Sequence, residues 1–315
     1  MDFIGQKLII EDFKKIIHDN TLSHAYVLTG TVGMGKRTVA RYLAEMLLCT
    51  GEERAAPCGR CMSCRSFEGG TNPNFTAIKN ETQKILIRQI RGIIDNIGVR
   101  PASGRKVYVI EDADHMTPDA QNCLLKTLEE PPGYAVIILT TAVYESLLIT
   151  VRSRAVQIRL KPYSIEELKA IALKNGTEIS GKEHLLSWSQ GIPGRAIQLL
   201  GDKKFEENRE KAMDFVFHDD ELSRLRFNKY LSGSKEVFNE CMDILESLYR
   251  DALMVLCGAD DGLINSDKKI KIIGYIEKKS PEELIEKIDK INGIRNSLKR
   301  NMNYQLAVDM VTLNV

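Results

Sequence analysis

Gly30-Thr31-Val32-Gly33-Met34-Gly35-Lys36 decides the fold of this chain. The pattern is G-x4-G-K, and its flanks give it meaning. His24-Ala-Tyr-Val-Leu28 before it is short and apolar enough for a buried strand, and Thr38 to Cys49 after it reads as a helix. A helix N-terminus offers unpaired backbone N–H groups and the positive end of a dipole to phosphates. Glycines let the backbone wrap the phosphates, and the lysine ammonium reaches the terminal ones. Without those flanks the same residues would be a glycine turn carrying a solvated lysine. Strand, loop and helix in succession make it a phosphate loop.

One residue further on, the pattern breaks. Ser or Thr should follow the lysine, because its hydroxyl holds magnesium, and here the residue is Arg37. A guanidinium has no acceptor oxygen and cannot replace a hydroxyl ligand. Thr38 comes one residue late, rotated by about 100° around the helix and aimed away from the metal. The acidic half of such a site is also altered. Val107-Tyr-Val-Ile110 reads as a strand and ends in Glu111-Asp112, where an Asp-Glu order is usual for nucleotide hydrolases of this kind. Both carboxylates are present with their reach exchanged. ATP and Mg2+ are therefore doubtful ligands, and hydrolysis in this chain's own site is expected to be poor.

Four of the seven cysteines fall close together as Cys49, Cys58, Cys61 and Cys64, in the spacing C-x8-C-x2-C-x2-C. In a reducing cytoplasm four clustered thiols read as a metal site and not as two disulfides. Four thiolates match the closed tetrahedral shell of a structural zinc ion. Pro57, Gly59 and Gly70 suit the tight turns of such a knuckle, and Arg54, Arg60 and Arg65 are near enough in sequence to balance its charge. The segment is too polar for its cysteines to be simple packing residues. Cys123, Cys241 and Cys257 stand alone in apolar helical stretches and are expected in the core.

The remaining periodicity fills in the architecture. Leu8, Ile9, Phe13, Ile16 and Ile17 recur at helical spacing over residues 6–19, and Ile90, Ile94 and Ile97 do so over 85–97. Phe75–Ile78, Ala135–Leu139 and Ala155–Leu160 are short strand-like runs, with helical composition over 118–129. Strands alternating with helices at this spacing indicate a parallel sheet covered on both faces. From Ser164, an N-cap followed by Glu166 and Glu167, the chain is helical almost to its end. From residue 206 onward it carries 17 Lys+Arg against 21 Asp+Glu, leaving +5 upstream. The expected division is an α/β domain over 1–160 with the zinc module at 49–64, a helical lid over 161–205, and a helical region over 206–315.

At 315 residues, 43% hydrophobic and 28% charged, with a net charge of +1, the composition excludes disorder and fibre. No apolar run approaches the roughly 18 residues of a membrane span. Met1-Asp2-Phe3 does not begin a secretory signal, so a cytoplasmic location is expected.

In order and spacing, these motifs resemble those of the bacterial clamp-loader subunits of the AAA+ class. The resemblance rests on the phosphate loop, the cysteine insertion after its helix, and Lys106-Val-Tyr-Val-Ile110. Asn122-Cys-Leu-Leu-Lys126-Thr-Leu-Glu-Glu-Pro-Pro132 and Val151-Arg-Ser-Arg154 extend it, as do His24-Ala-Tyr26 and Ile87-Arg-Gln-Ile90-Arg91. It covers about residues 3–200; beyond them it rests on helical character and the tail Asn301-Met-Asn-Tyr-Gln-Leu306.

The resemblance implies an AAA+ sheet domain, a lid and a C-terminal collar that joins a five-subunit ring. It implies gamma/tau and delta subunits as partners, and the sliding clamp and primed DNA through the complex. Two subunit types carry the cysteine insertion, the gamma/tau motor and a largely passive neighbour. The motor would keep Thr after the loop lysine, Asp-Glu after the strand and, in tau, a long extension; this chain has none of these and fits the passive type. The resemblance also implies that Arg154, in the Ser153-Arg154 pair, is presented to the ATP of the adjacent motor subunit. A guanidinium there stabilises charge on the transferring phosphoryl oxygens. The family's third residue, cysteine, is Ala155 here. Thr141 and Arg195 fall at the family's sensor positions. The rival reading is an active gamma/tau-type ATPase in which Thr38 supplies the missing hydroxyl. A nucleotide kinase would not explain the cysteine knuckle or Leu-Glu-Glu-Pro-Pro.

Overall fold

The computed structural model describes residues 3–51, 57–79, 84–101, 104–218, 220–259, 261–277 and 279–315. The chain divides into two compact units, residues 1–171 with 191–194, and residues 172–190 with 195–315.

The first unit is built on five parallel strands: β1 (Ala25–Thr29), β2 (Phe75–Ile78), β3 (Lys106–Ile110), β4 (Ala135–Thr141) and β5 (Val156–Arg159). Their order is β2-β3-β4-β1-β5, with Tyr26 level with Ile138 on one side and Val156 on the other. β1, β3 and β4 are buried along their whole length, as the uninterrupted apolar runs require of central parallel strands. β5 is an edge strand and its Val156, Gln157 and Arg159 are exposed.

Helices α1 (Lys7–His18), α2 (Lys36–Leu48), α3 (Met62–Glu68), α4 (Ile87–Ile97), α5 (Pro118–Glu129) and α6 (Ile149–Arg152) belong to this unit, with residues 165–171 of the helix that follows. Ile90, Ile93, Ile97, Leu124, Leu128 and Val151 from α4, α5 and α6 pack with Val27, Tyr108, Ile110 and Ile137 of the strands. α2 packs onto β3 and β4, with Val39 and Leu43 fully buried. Two helix starts and one additional helix depart most from the sequence expectation. α2 starts at Lys36 because Gly35, at φ 84°, takes the left-handed N-cap conformation that costs a glycine little. α4 starts only at Ile87 because Ile85 is held in a parallel bridge to Met116. α3 was not expected; the Cys61 side chain caps it by accepting from the Cys64 N–H.

The second unit is all helical. The C-terminal part of α7 (Ile165–Lys174), α8 (His184–Trp188) and α9 (Pro193–Gly201, from Arg195 onward) join α10 (Lys203–Phe217), α11 (Glu221–Leu231) and α12 (Lys235–Leu256). α13 (Lys269–Ile276), α14 (Pro281–Lys299) and α15 (Tyr304–Asn314) follow. α12 is the central element, packed against α10, α13 and α14. A buried polar network ties three elements to one loop. Asn265 donates from its backbone and side-chain nitrogens to Asp251 of α12 at 2.6 and 2.9 Å, and its Oδ1 accepts from Trp188 of α8 and Arg209 of α10. Arg209 also reaches Asp267. Among the described residues no helix is long and apolar enough to cross a membrane.

Candidate functional site

The phosphate loop joins the end of β1 to the start of α2, as its sequence implies. Lys36 is almost fully buried, and its Nζ donates to the carbonyls of Gly30 at 2.7 Å and Thr31 at 3.0 Å. Burial pushes its ammonium below the usual lysine range, against the pull of Asp112 and Asp114. The Gly33 carbonyl accepts from the Gly194 N–H at 2.9 Å. A Cβ on Gly194 would lie 2.9 Å from the Gly33 Cα, so only glycine permits that approach.

Arg37 turns across to the end of β3. Its Nε lies 3.2 Å from Glu111 Oε2, and its other arm is hydrogen-bonded to the Asp112 carboxylate. That hydrogen bond, together with the nearby carboxylates and against some burial, raises the Arg37 pKa further. Glu111 is buried, and Asp112 takes a left-handed conformation at φ 50°, one that aspartate tolerates better than most residues. Thr38 is exposed on α2. Thr141 closes its own turn, donating to the Val143 carbonyl at 3.0 Å and accepting from the Val143 N–H. The hydroxyl that reaches the acidic pair is that of Thr140, which accepts from the Asp112 N–H at 3.0 Å. Only strand register reveals this, since two threonines adjacent in sequence face opposite sides of the sheet. Arg195 is half-buried in the first turn of α9 and belongs to the second unit.

Arg154 lies elsewhere. It precedes β5, whose Val156 is level with Tyr26, whereas the phosphate loop begins beyond Thr29 at the other end of the sheet. At about 3.3 Å per residue the two are separated by roughly 20 Å along the strands. Arg154 cannot serve its own loop. Its guanidinium pairs with Glu129 at 2.8 Å and donates to the Thr150 carbonyl and the Ser153 hydroxyl. Ile149, one turn earlier, is 72% exposed.

The cysteine cluster follows α2. The sulfurs of Cys49, Cys58, Cys61 and Cys64 all lie within 4.8 Å of one another, and all four cysteines are free of disulfides. A tetrahedral zinc with Zn–S near 2.3 Å needs sulfurs about 3.8 Å apart, so the donor set fits the ion. The N–H groups of Gly51 and Cys58 point at Cys49 Sγ, that of Cys61 at Cys58 Sγ, and that of Cys64 at Cys61 Sγ. Such donors favour thiolates. Burial opposes ionisation of Cys61, yet Thr50 and the Cys64 amide bring it down to about 5. Gly59 and Gly70 take the positive φ expected of turn glycines. Ser63 anchors the module by donating to the Leu48 carbonyl at 2.7 Å, and Phe67 packs at a tilt against Phe75 of β2 beneath Arg41. Arg54 lies outside the described residues. Of the isolated cysteines Cys241 is buried and Cys123 partly so, but Cys257 is exposed, because it caps the end of α12 instead of lying within it.

Residues 5–164 match the family described as DNA polymerase III, delta subunit, and residues 204–314 match the C-terminal family of the same description. The chain belongs to the DNA polymerase III delta subunit family. It is 27% identical to the delta' subunit of Bacillus subtilis over 304 residues, covering 94% of this chain and 92% of that one. Against the delta' subunit of Pseudomonas aeruginosa identity is 36% over 194 residues, 60% of this chain and 59% of that one. Against the tau/gamma subunit of Haemophilus influenzae it is 37% over 161 residues, 51% of this chain. The chain spans only 23% of that relative's length and 30% of the Escherichia coli tau subunit. The resemblance read from the motifs thus holds, and in the Bacillus delta' subunit it extends past residue 200.

Proposed function

We propose that this chain is a delta prime-type clamp-loader subunit of the bacterial replicative DNA polymerase III holoenzyme. It acts as a largely passive member of a five-subunit ring with gamma/tau and delta subunits, and helps to load the sliding clamp on primed DNA. It has little or no ATPase of its own and lends Arg154 to the nucleotide of a neighbouring motor subunit. The observation that carries this reading is the placement of Arg154. A guanidinium at the opposite end of the sheet from its own phosphate loop acts on another subunit's phosphates or on none.

The other parts are consistent with this role. Cys49, Cys58, Cys61 and Cys64 hold a structural zinc ion, which leaves no open coordination position for chemistry. Gly30, Gly33, Gly35, Lys36, Thr38, Glu111, Asp112 and Thr141 are the remnants of a nucleotide site. Residues 1–160, 161–205 and 206–315 serve as sheet domain, lid and collar. The protein works in the cytoplasm, away from membranes.

The similarity to tau and gamma subunits keeps one alternative in view, an active motor of gamma/tau type. An ATPase assay on the purified chain, with and without motor subunits, separates the two. The expected result is no turnover alone. Lys36-dependent hydrolysis at ordinary AAA+ rates would overturn the proposal.

A further inference from the structure

A phosphate-loop nucleotide ordinarily brings a divalent cation, held by the hydroxyl after the loop lysine and by a carboxylate at the neighbouring strand end. The residues here do not fit that ion. The hydroxyl position is Arg37, and its guanidinium touches both carboxylates that a metal would need, Glu111 and Asp112. Glu111 is 2% exposed, and a buried carboxylate requires a cation close by. Arg37 Nε supplies it at 3.2 Å as an ion pair without hydrogen-bond geometry, which leaves Glu111 Oε2 without a hydrogen bond. Among the described residues the only convergent group of three or more His, Cys, Asp or Glu side chains is the cysteine cluster.

We infer that Arg37 is the resident counterion of this site, standing in for the divalent cation and excluding it. Glu111 and Asp112 already share a cation of the fold's own, and any nucleotide that enters Gly30–Lys36 binds without metal. This inference rests on the reading of Gly30–Lys36 as a degenerate phosphate loop. It is independent of the role of Arg154.

ATP binding to the full-length chain, followed by titration calorimetry with and without Mg2+, tests it. The metal-free buffer is prepared on a chelating resin before protein is added, which leaves the cysteine-bound metal in place. Wild-type protein should bind ATP equally well in both buffers, or in neither. Arg37→Thr restores the hydroxyl and leaves Glu111 without its counterion, so it should bind ATP roughly tenfold more tightly with Mg2+ than without. Arg37→Thr combined with Glu111→Gln should lose that dependence. Wild-type binding that Mg2+ strengthens about tenfold would overturn the inference, whatever the variants do. So would a folded Arg37→Thr, checked by circular dichroism, that acquires no magnesium dependence. Neither outcome bears on clamp loading, which the Arg154 variant tests by itself.

Discussion

Arg154 and Glu129 form an ion pair of 2.8 Å that joins the segment before β5 to the end of α5. Glu129 is the first glutamate of the Leu-Glu-Glu-Pro-Pro run, so two motifs far apart in sequence meet at one guanidinium. Both side chains are partly exposed. The pair therefore contributes at most about 1 kcal/mol to stability, and its value lies in where it holds the arginine.

Arg154→Ala should leave folding intact and lower ATP-driven clamp loading by the reconstituted complex roughly 1,000-fold, the scale of other arginine fingers. Arg154→Lys should recover little, because an ammonium lacks the planar fork. Loading at the normal rate by Arg154→Ala would remove the finger assignment.

Glu129→Gln removes one of three tethers and leaves the Thr150 carbonyl and Ser153 hydroxyl in place. The expected result is a thermal midpoint close to wild type and a loading defect clearly smaller than that of Arg154→Ala. A defect as large as Arg154→Ala would show that Glu129 does more than steady the arginine.

Metal analysis of native protein should return about one zinc per chain. Cys64→Ser should lose the metal and destabilise the first unit by several kcal/mol, since Cys64 is both a ligand and buried. Zinc-free native protein would refute the site.

In the second unit, burial opposes ionisation of Asp267, but the hydrogen bond and charge of Arg209 prevail and hold its carboxyl below the ordinary value. A carboxylate depressed in the folded state adds stability above its unfolded pKa, about 3.9, and loses it as pH falls further. Denaturant melts should show wild type more stable than Asp267→Asn at neutral pH, with the gap narrowing below about pH 4. A gap that is the same at both pH values would exclude this linkage.

Asn265 is fully buried and serves three helices at once. Asn265→Ala should cost about 2–4 kcal/mol, because Trp188, Arg209 and Asp251 each lose a partner together. Chemical denaturation of the full chain measures this directly.

Much of the fold was legible because its signals are local. The glycines of Gly30–Lys36 act through their own backbone, and the cysteine spacing places four thiols within sixteen residues. The central strands declare themselves as unbroken apolar runs. Weaker signals misled where a neighbour intervened. Ile85 looks helical but pairs with Met116, and the seven-residue α3 is capped by a cysteine, which propensity alone does not flag. Thr140 and Thr141 are indistinguishable until register assigns each to a face of the sheet.

Residue order alone reveals a phosphate loop without its magnesium hydroxyl, four thiols in one metal-type cluster, and strands alternating with helices before a helical remainder. What the altered residues do instead depends on the folded sheet. Arg37 and Asp112 are 75 positions apart in the chain, and strand order alone brings them together. Arg154 is set at the far end of the sheet from its own loop by the parallel pairing of β5 with β1. Such long-range pairs depend on order and register, which are set by the packing of the whole sheet and not by any short stretch of residues.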